Sequence, residues 1–369
     1  MILNSLTINN FKNIAEAKLE FSPNINALLG HNGMGKSNLL DAIYYLSFCK
    51  SFSGLPDQKL IRRGDTFAML RGEYMRKGQS EEILFGIAEG KRKSFKRQGK
   101  EYQRLSAHIG AFPAVLVSPR DMDLITGPSE ERRRFIDMII SQTDSVYLDR
   151  LIRYNNALQQ RNRLLRDHVV DPDLYAAIEA SMAMASEYIT HARAELIARF
   201  GEIFARHYRD ISRTQEMPSL IYRSSVESTG LPLEQLLEEH RRRDEIIGHT
   251  TVGPHRDDLD LTLDDMPVRT TASQGQSKTF TIAMRLAQYE FMREAVGMRP
   301  LLLLDDIFDK LDSSRVANIV DIVNSDIFGQ IFITDTNRDH LDSIISMTGA
   351  DSRLWLVDSG CFQPLPDAK

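Results

Sequence analysis

A glycine-rich stretch near the start of the chain reads Gly30-His31-Asn32-Gly33-Met34-Gly35-Lys36-Ser37. It fits the phosphate-loop pattern G-x-x-x-x-G-K-[ST], in which glycines let the backbone bring several N–H groups against phosphate oxygens. The apolar run over residues 25–29 predicts a buried strand before the loop, and apolar residues at helical spacing over residues 39–46 predict a helix after it. Strand, loop and helix therefore follow in the order that a phosphate-binding site requires.

The residue types in this stretch predict particular contacts with a nucleotide. Lys36 would reach the β- and γ-phosphates of ATP, and the Ser37 hydroxyl would ligate Mg²⁺. The predicted helix begins near Lys36, so its positive dipole end adds to the site. The alternative is a glycine-rich turn with a surface lysine, which the flanking strand and helix disfavour. The candidate nucleotide-binding residues are Gly30, His31, Asn32, Gly33, Met34, Gly35, Lys36, Ser37 and Asn38, with Lys12 from an earlier turn.

Length and composition set the broad class. The chain has 369 residues, 42% hydrophobic and 26% charged, as expected for two globular domains or one domain with a large insertion. Cys49 and Cys361 belong to no metal or redox spacing, so neither disulfides nor zinc sites are expected. The first residues lack a signal-peptide pattern, and no apolar run approaches the ~18 residues of a membrane span. We therefore expect a cytoplasmic protein that has no membrane partner.

Positive charge is concentrated in the first third of the chain. Residues 1–118 carry 17 Lys and Arg against 10 Asp and Glu, residues 119–248 carry 18 against 22, and residues 249–369 carry 11 against 19. The stretch 91–97 is densely basic and predicts one strand of a hairpin. Such a strand is either a solvated sheet edge or a hairpin that faces nucleic acid, with Phe95 as a stacking surface. The candidate DNA-contacting residues are Arg62, Arg63, Lys91, Arg92, Lys93, Lys96 and Arg97.

The middle of the chain has helical character. Apolar residues recur three and four apart over residues 148–165 and again over residues 174–203. Two such helices should pair antiparallel, as arms of about 20 to 30 residues that span ~30–45 Å. An ordinary helical subdomain would show the same pattern. The arginines at 132–134 and 241–243 have acidic neighbours, so we expect them on solvated faces.

A second nucleotide signal is the run Leu301-Leu302-Leu303-Leu304-Asp305-Asp306. A buried parallel strand is apolar in this way, and ligands bind at its carboxyl end. Asp305 could hold Mg²⁺, and Asp306 could orient or deprotonate an attacking water. The alternative is a strand that continues into an acidic turn. Together with Lys36, the two aspartates are the candidate catalytic residues.

A third signal is the segment Ser273-Gln274-Gly275-Gln276, here called the signature segment, which precedes a predicted helix. Hydroxyl and N–H groups at a helix start form an anion site. Since the chain already has one phosphate loop, this segment is assigned to nucleotide that a second subunit binds. The alternation over residues 258–263 predicts a strand, so α/β character returns. The predicted domains are residues 1–118 and 249–369 as the ATPase head and residues 119–248 as an inserted helical arm.

The order of these motifs, with Lys310-Leu311-Asp312 after the apolar strand, resembles the ABC-type ATPase heads. The segments 10–13, 131–137, 160–162 and 253–258 are similar to those of the RecF family of bacterial recombination mediators. The resemblance extends from Met1 to the last predicted strand. It implies an α/β fold in which a mixed sheet carries the phosphate loop and an α-helical arm is inserted.

The resemblance also implies an activity. Lys36, Ser37, Asp305 and Asp306 of one chain would hold ATP and Mg²⁺ against Ser273 and Gly275 of a second chain in an ATP-dependent homodimer. Proteins of this family bind DNA at junctions of single and double strands, such as gaps. They act with RecO and RecR to load RecA on single-stranded DNA during DNA repair and the SOS response. Weak, DNA-stimulated hydrolysis would act as a switch that releases DNA.

The chain departs from the usual ATPase-head pattern at three positions. Gln274 replaces the first glycine of the usual signature, which implies slow turnover, and Asp306 stands where many such ATPases have glutamate. Thr334-Asp335-Thr336 lacks the switch histidine of transporter subunits. The region expected to replace the Q-loop is residues 118–121.

Three other functions are compatible with an ATPase head. A transporter ATPase subunit is disfavoured by the helical insertion and by the absent histidine. An SMC-type DNA bridge is disfavoured because the predicted arms are short. A nucleotide-switched protein adaptor remains open, and the salt dependence of DNA binding would distinguish it from a DNA-binding protein.

Overall fold

The computed structural model describes residues 1–308, 311–348 and 351–365, so Lys310 of the sequence pattern lies outside the described residues. The chain divides into two compact units. Unit 1 comprises Met1–Asp121, Asp210–Ser212 and Met284–Lys369, and unit 2 comprises Met122–Arg209 and Arg213–Ala283. The sequence prediction placed residues 249–283 with the head. Here they belong to unit 2, because residues 258–263 pair as a strand with residues 218–223.

The elements have the following bounds. The strands are β1 (Ile2–Phe11), β2 (Ile14–Glu20), β3 (Ile25–Leu29), β4 (Phe67–Arg76), β5 (Gln79–Ala88), β6 (Ser94–Arg97), β7 (Lys100–Glu101), β8 (Ala114–Val117), β9 (Pro218–Arg223), β10 (Asp258–Leu263), β11 (Met266–Pro267), β12 (Leu301–Asp305), β13 (Ile331–Asp335), β14 (Ser352–Asp358) and β15 (Cys361–Leu365). The helices are α1 (Lys36–Phe48), α2 (Asp123–Thr126), α3 (Ser129–Thr143), α4 (Ser145–Arg166), α5 (Pro172–Ser212), α6 (Leu233–Ile247), α7 (Val268–Thr271), α8 (Gln274–Val296), α9 (Ser313–Val323) and α10 (Arg338–Thr348).

Unit 1 is built on two sheets. One is antiparallel, with the order β2-β1-β4-β5-β6-β7. The other has the order β15-β14-β3-β13-β12-β8, and all its strands except β15 run parallel. Every residue of β12 and β13 is buried, which explains their continuous apolar sequences. This order brings the carboxyl ends of β3, β13 and β12 side by side.

The predicted strands at residues 25–29, 258–263 and 301–305 are confirmed as β3, β10 and β12. The basic strand is shorter than predicted. β6 begins at Ser94 and pairs with β5, so residues 91–93 lie in the turn that precedes it. The signature segment also differs, because α8 begins at Gln274 and includes most of that segment in its first turn.

Unit 2 contains the paired helices α4 and α5 and the sheet β11-β10-β9. Hydrogen bonds join Tyr147 near the start of α4 to Arg193 and Arg161 near its end to Glu179, so the partner in α5 moves toward lower numbers and the helices are antiparallel. α5 has 41 residues, or about 60 Å at about 1.5 Å per residue, and is longer than the predicted arm. Among the helices within the described ranges, none combines the length and apolar character that crossing a lipid bilayer requires.

Buried arginines hold the elements of unit 2 together. Arg161 is 0% exposed and bonds Glu179 and Asp244, while Arg193 bonds Asp137 of α3 and Asp257. Removing one partner of such a pair leaves a buried charge without compensation.

The prediction that residues 132–134 form a solvated face is wrong in part. Arg132 is buried and bonds both carboxylate oxygens of Asp258 at 2.7 and 2.9 Å. Arg134 does lie exposed, and it pairs with Glu130 and Glu131 of the same helix. Arg132 can be buried because the Asp258 carboxylate of β10 pairs with its charge. That partner lies 126 positions later, so the local sequence does not reveal it.

Candidate functional site

The phosphate loop connects β3 to α1. Gly33 and Gly35 have φ angles of 82° and 115°, which glycine adopts far more readily than other residues. A Cβ atom at Gly35 would come within 2.9 Å of the Asn13 amide nitrogen. Asn13 also donates to the Met34 carbonyl at 3.3 Å and accepts from the Asn38 amide at 2.7 Å. The turn between β1 and β2 therefore fixes the loop against the start of α1.

Lys36 is the first residue of α1, and its side chain folds back over the loop. The Nζ atom donates to the carbonyl oxygens of Gly30 and His31 at 2.5 and 3.1 Å. Burial lowers the pKa of Lys36, although aspartates at the ends of β12 and β13 oppose that shift. An ammonium group held only by loop carbonyls can exchange them for the stronger acceptor oxygens of a phosphate.

Two hydroxyl groups meet on the Asp305 carboxylate at the end of β12. Ser37 Oγ and Thr334 Oγ1 donate to Asp305 Oδ1 at 2.8 and 2.9 Å. Burial raises the pKa of Asp305, while these two hydrogen bonds oppose the shift. Asp306 has a φ angle of 50°, and its N–H donates to Thr334 Oγ1 at 3.0 Å. The carboxylates predicted for metal binding and for water activation thus lie directly beside the phosphate loop.

A cavity of about 130 Å³ joins these groups. It is lined by Asn32, Gly33, Gly35, Lys36, Ser37, Asn38, Asp305 and Asp306. Within the described part of the chain, no cluster of three His, Cys, Asp or Glu residues could hold a metal by itself. Ser37 and Asp305 instead offer two adjacent oxygen ligands. This pair fits Mg²⁺, which takes few protein ligands and completes its octahedron with phosphates and water.

Lys12 does not line this cavity. Its ammonium pairs with Asp41 of α1, donates to Ser53 Oγ at 3.2 Å and lies 5.7 Å from the centroid of the Phe52 ring. These contacts stabilise the segment after α1. A role for Lys12 in nucleotide binding stays a prediction.

The signature segment forms a capping box at the start of α8, in unit 2. Ser273 Oγ accepts from the Gln276 N–H at 3.2 Å, and Gln276 Oε1 accepts from the Ser273 N–H at 2.7 Å. Gln276 also donates to Glu216 Oε1 at 2.6 Å. The side chains of Ser273 and Gln274 are exposed at this helix start. The segment is therefore rigid and accessible to another molecule.

Three of the basic candidates form ion pairs within unit 1. Lys93 pairs with Asp57 at 3.0 Å and donates to the Cys49 carbonyl at 2.6 Å, where it satisfies the carboxyl end of α1. Arg97 pairs with Glu81 at 2.6 Å. Arg62 pairs in the same way with nearby Asp65 at 3.1 Å.

The other four basic candidates have no ion-pair partner among the residues that the structure describes: Arg63, Lys91, Arg92 and Lys96. The prediction that Phe95 offers a stacking surface is wrong. Phe95 is only 1% exposed, and its ring packs against Phe85 and His108. β6 directs this side chain into the core because a strand alternates its faces.

Sequence reasoning did not assign Asn13 or Thr334 to the site. Asn13 lies in segment 10–13, which is one of the segments that resemble the RecF family. Its side-chain amide lies against Gly35, so this position contacts the phosphate loop. Thr334 is the residue before the last in β13, and it pairs with Asp305, the last residue of β12. A polar residue at that position in a second parallel strand was the available signal.

A phosphate loop, the bond between Ser37 and Asp305, and a second aspartate after β12 define a phosphate-loop NTPase site. The sequence model of the family described as RecF/RecN/SMC N terminal domain matches residues 2–353. The DNA replication and repair protein RecF of Phocaeicola vulgatus is 49% identical over 98% of this chain and 97% of that protein. RecF of Parabacteroides distasonis is 47% identical over 100% of both chains. The chain belongs to the RecF family of DNA replication and repair proteins.

Solved structures agree with this assignment. The recombination mediator protein RecF with ATP, described within the RecFOR pathway, has a TM-score of 0.88 and 29% identity over 99% of this chain and 98% of that one. An Smc head domain from Pyrococcus furiosus has a TM-score of 0.59 at 19% identity over 99% of this chain and 96% of that one, which shows a shared fold. The predicted ATPase-head fold with a helical arm is confirmed.

Proposed function

We propose that this protein is an ATP-switched, DNA-binding protein of recombinational gap repair and replication restart in the bacterial cytoplasm. It dimerises on ATP and binds DNA at junctions of single and double strands. It then helps RecO and RecR to load RecA on single-stranded DNA, and slow hydrolysis releases it. The names of its relatives, and of the RecF neighbour with ATP in the RecFOR pathway, support the proposal.

The observation that carries the nucleotide part is the 2.8 Å bond between Ser37 and Asp305. It joins the residue after the loop lysine to the end of β12, a parallel strand that is separated from β3 by β13. A surface turn would need no such bond, whereas two oxygen ligands of one Mg²⁺ ion must lie about 3 Å apart.

The residues of the cavity divide the work as follows. Lys36 and the N–H groups of the loop bind the phosphates. Ser37 and Asp305 would hold Mg²⁺, which would supply positive charge against the phosphate oxygens. Asp306 lines the same cavity, where it orients a water molecule and accepts its proton.

Dimerisation would complete the site. The exposed start of α8 offers N–H groups, a helix dipole and the Ser273 hydroxyl to an anion. In the proposed dimer, the signature segment contacts the γ-phosphate that the other subunit holds. Nucleotide is then part of the interface, so binding of ATP and dimerisation are coupled.

The DNA surface is assigned to the basic candidates of unit 1 that lack an ion-pair partner in the described ranges. Arg63, Lys91 and Arg92 are exposed, and Lys96 is half-buried. Lysine and arginine on such a surface bind phosphates and release counterions, so the DNA affinity should fall with salt.

Sedimentation velocity tests the proposal. The protein is run with and without ATP, and then with a gapped DNA duplex at two salt concentrations. We expect an ATP-dependent dimer that binds the gapped duplex and binds it more weakly at the higher salt concentration. An ATP-dependent dimer that ignores DNA would favour the protein adaptor. A monomer under all conditions would contradict the shared nucleotide site.

A further inference from the structure

The Thr334 side chain forms hydrogen bonds with both aspartates of the site. It lies on β13, between β3 and β12, and its side chain is 0% exposed. Its Oγ1 atom is 2.9 Å from Asp305 Oδ1 and 3.0 Å from the Asp306 backbone nitrogen. A single hydroxyl group therefore contacts both residues.

The chemistry of the partners fixes the direction of both hydrogen bonds. A backbone N–H can only donate, so Thr334 Oγ1 accepts from Asp306. An ionised carboxylate can only accept, so the hydroxyl hydrogen of Thr334 points to Asp305. This arrangement uses the single hydroxyl hydrogen and leaves no rotational freedom. The hydroxyl thus locks the Asp305 carboxylate relative to the Asp306 backbone.

The backbone at Asp306 needs such support. Its φ angle of 50° lies in the left-handed region, which residues other than glycine adopt infrequently. Residues in such conformations persist where surrounding structure holds them. Here the N–H of the left-handed residue bonds to Thr334, and the conformation decides where the Asp306 side chain points.

The same hydroxyl acts on the proposed metal ligand. Asp305 Oδ1 accepts from both Ser37 and Thr334. If Ser37 turns its oxygen toward Mg²⁺, Thr334 remains as the donor that orients the carboxylate. Groups that bond to metal ligands commonly set the ligand geometry and affect metal affinity.

We infer that Thr334 is a positioning residue that sets Asp305 toward Mg²⁺ and Asp306 toward the attacking water. This inference rests on the proposed ATPase function. Nothing in the local sequence assigns the role, because Thr334 acts through two residues that lie 29 and 28 positions earlier.

The test compares Thr334→Val with Thr334→Ser in the full-length protein. Valine keeps the branched shape of threonine in the buried strand and removes the hydroxyl, whereas serine keeps the hydroxyl. Thr336→Val is the matched control, because Thr336 lies two residues later and is exposed. ATP affinity is measured with Mg²⁺ and with EDTA, together with the hydrolysis rate and the thermal unfolding midpoint.

We expect Thr334→Val to bind ATP in EDTA as the parent does, because the loop and Lys36 are unchanged. The gain in ATP affinity that Mg²⁺ gives should fall by about tenfold, and hydrolysis should slow by about tenfold to a hundredfold. Thr334→Ser and Thr336→Val should match the parent in both quantities. A residue that merely supports the fold would lower the unfolding midpoint without changing the Mg²⁺ gain.

Two results would overturn the inference: a parent-like Mg²⁺ gain in Thr334→Val, or a loss in Thr334→Ser as large as in Thr334→Val. If Thr334→Val does not fold, Thr334→Ala replaces it, since alanine and serine both lack the γ-methyl group of threonine and differ from each other only in the hydroxyl. If the parent itself gains no affinity from Mg²⁺ and hydrolyses no ATP, the proposed function fails, and this inference fails with it.

Discussion

Single side chains in the nucleotide site have separable tasks. Lys36 bonds only to loop carbonyl oxygens in the described structure, and Asp306 lines the same cavity from the carboxyl end of β12. Binding and hydrolysis should therefore respond differently when one of these residues is replaced.

We expect Asp306→Asn to retain ATP binding and the ATP-dependent dimer while hydrolysis slows by about a hundredfold or more, because the amide cannot accept the proton of water. Lys36→Ala should instead lose ATP binding and dimerisation, with Lys18→Ala, an exposed lysine of β2, as control. Titration with a fluorescent ATP analogue, sedimentation velocity and phosphate release measure the three quantities. Hydrolysis by Asp306→Asn at the parent rate would show that its assigned role is wrong.

Much of the nucleotide site could be predicted from sequence, because its residues occur in short motifs. The glycines, Lys36 and Ser37 are adjacent in the chain, and Asp305 ends a run of leucines. Thr334 could not be assigned in this way, since its role depends on which strand lies beside β12. The burial of Arg132, and the contacts of Lys93 with Asp57 and Cys49, likewise depend on partners that are distant in sequence.

Among the elements of unit 1, α1 is tied to the segment that follows β7 by a buried histidine. His108 bonds the Leu46 carbonyl through Nε2 at 2.7 Å and the Tyr102 hydroxyl through Nδ1 at 3.0 Å. Its ring stacks on Phe112 at a centroid distance of 5.4 Å. Because a carbonyl oxygen only accepts, Nε2 carries a proton, and in the neutral imidazole Nδ1 accepts from Tyr102.

Burial lowers the pKa of His108 from 6.5 to about 4, so the folded state binds a proton less readily than the unfolded state. The stability that this residue contributes is complete above pH 6.5 and is lost as the pH falls toward 4. Between pH 7 and pH 5, the parent should lose about 2 kcal/mol more unfolding free energy than His108→Gln. Urea unfolding at the two pH values measures the difference. Equal losses in both proteins would contradict the prediction.

At the scale of the whole molecule, the proposed mechanism requires two copies. The signature segment presents an exposed serine at a capped helix start, and the capping box keeps that start rigid without a ligand. A large side chain at this position should therefore obstruct a second molecule, at the cost of the one capping bond that Ser273 Oγ accepts, while the bond from the Ser273 N–H to Gln276 remains.

We expect Ser273→Trp to bind ATP as a monomer with an affinity close to that of the monomeric parent, and to form no dimer. The control is Ser228→Trp, because Ser228 is exposed and lies outside the signature segment. Ser225 is unsuitable as a control because it forms hydrogen bonds inside unit 2. Sedimentation velocity at saturating ATP distinguishes the two variants. An intact ATP-dependent dimer of Ser273→Trp would contradict the assignment of the signature segment to the interface.

The bond between Ser37 and Asp305 has a consequence for synthesis of the protein. The two residues are separated by 268 positions, so the ribosome makes the phosphate loop long before the carboxylate that completes it. Until Asp305 is made, the nascent chain carries the phosphate loop and Ser37 without the second proposed Mg²⁺ ligand. A chain that stops before Asp305 would therefore hold a phosphate loop that the proposed metal site cannot complete.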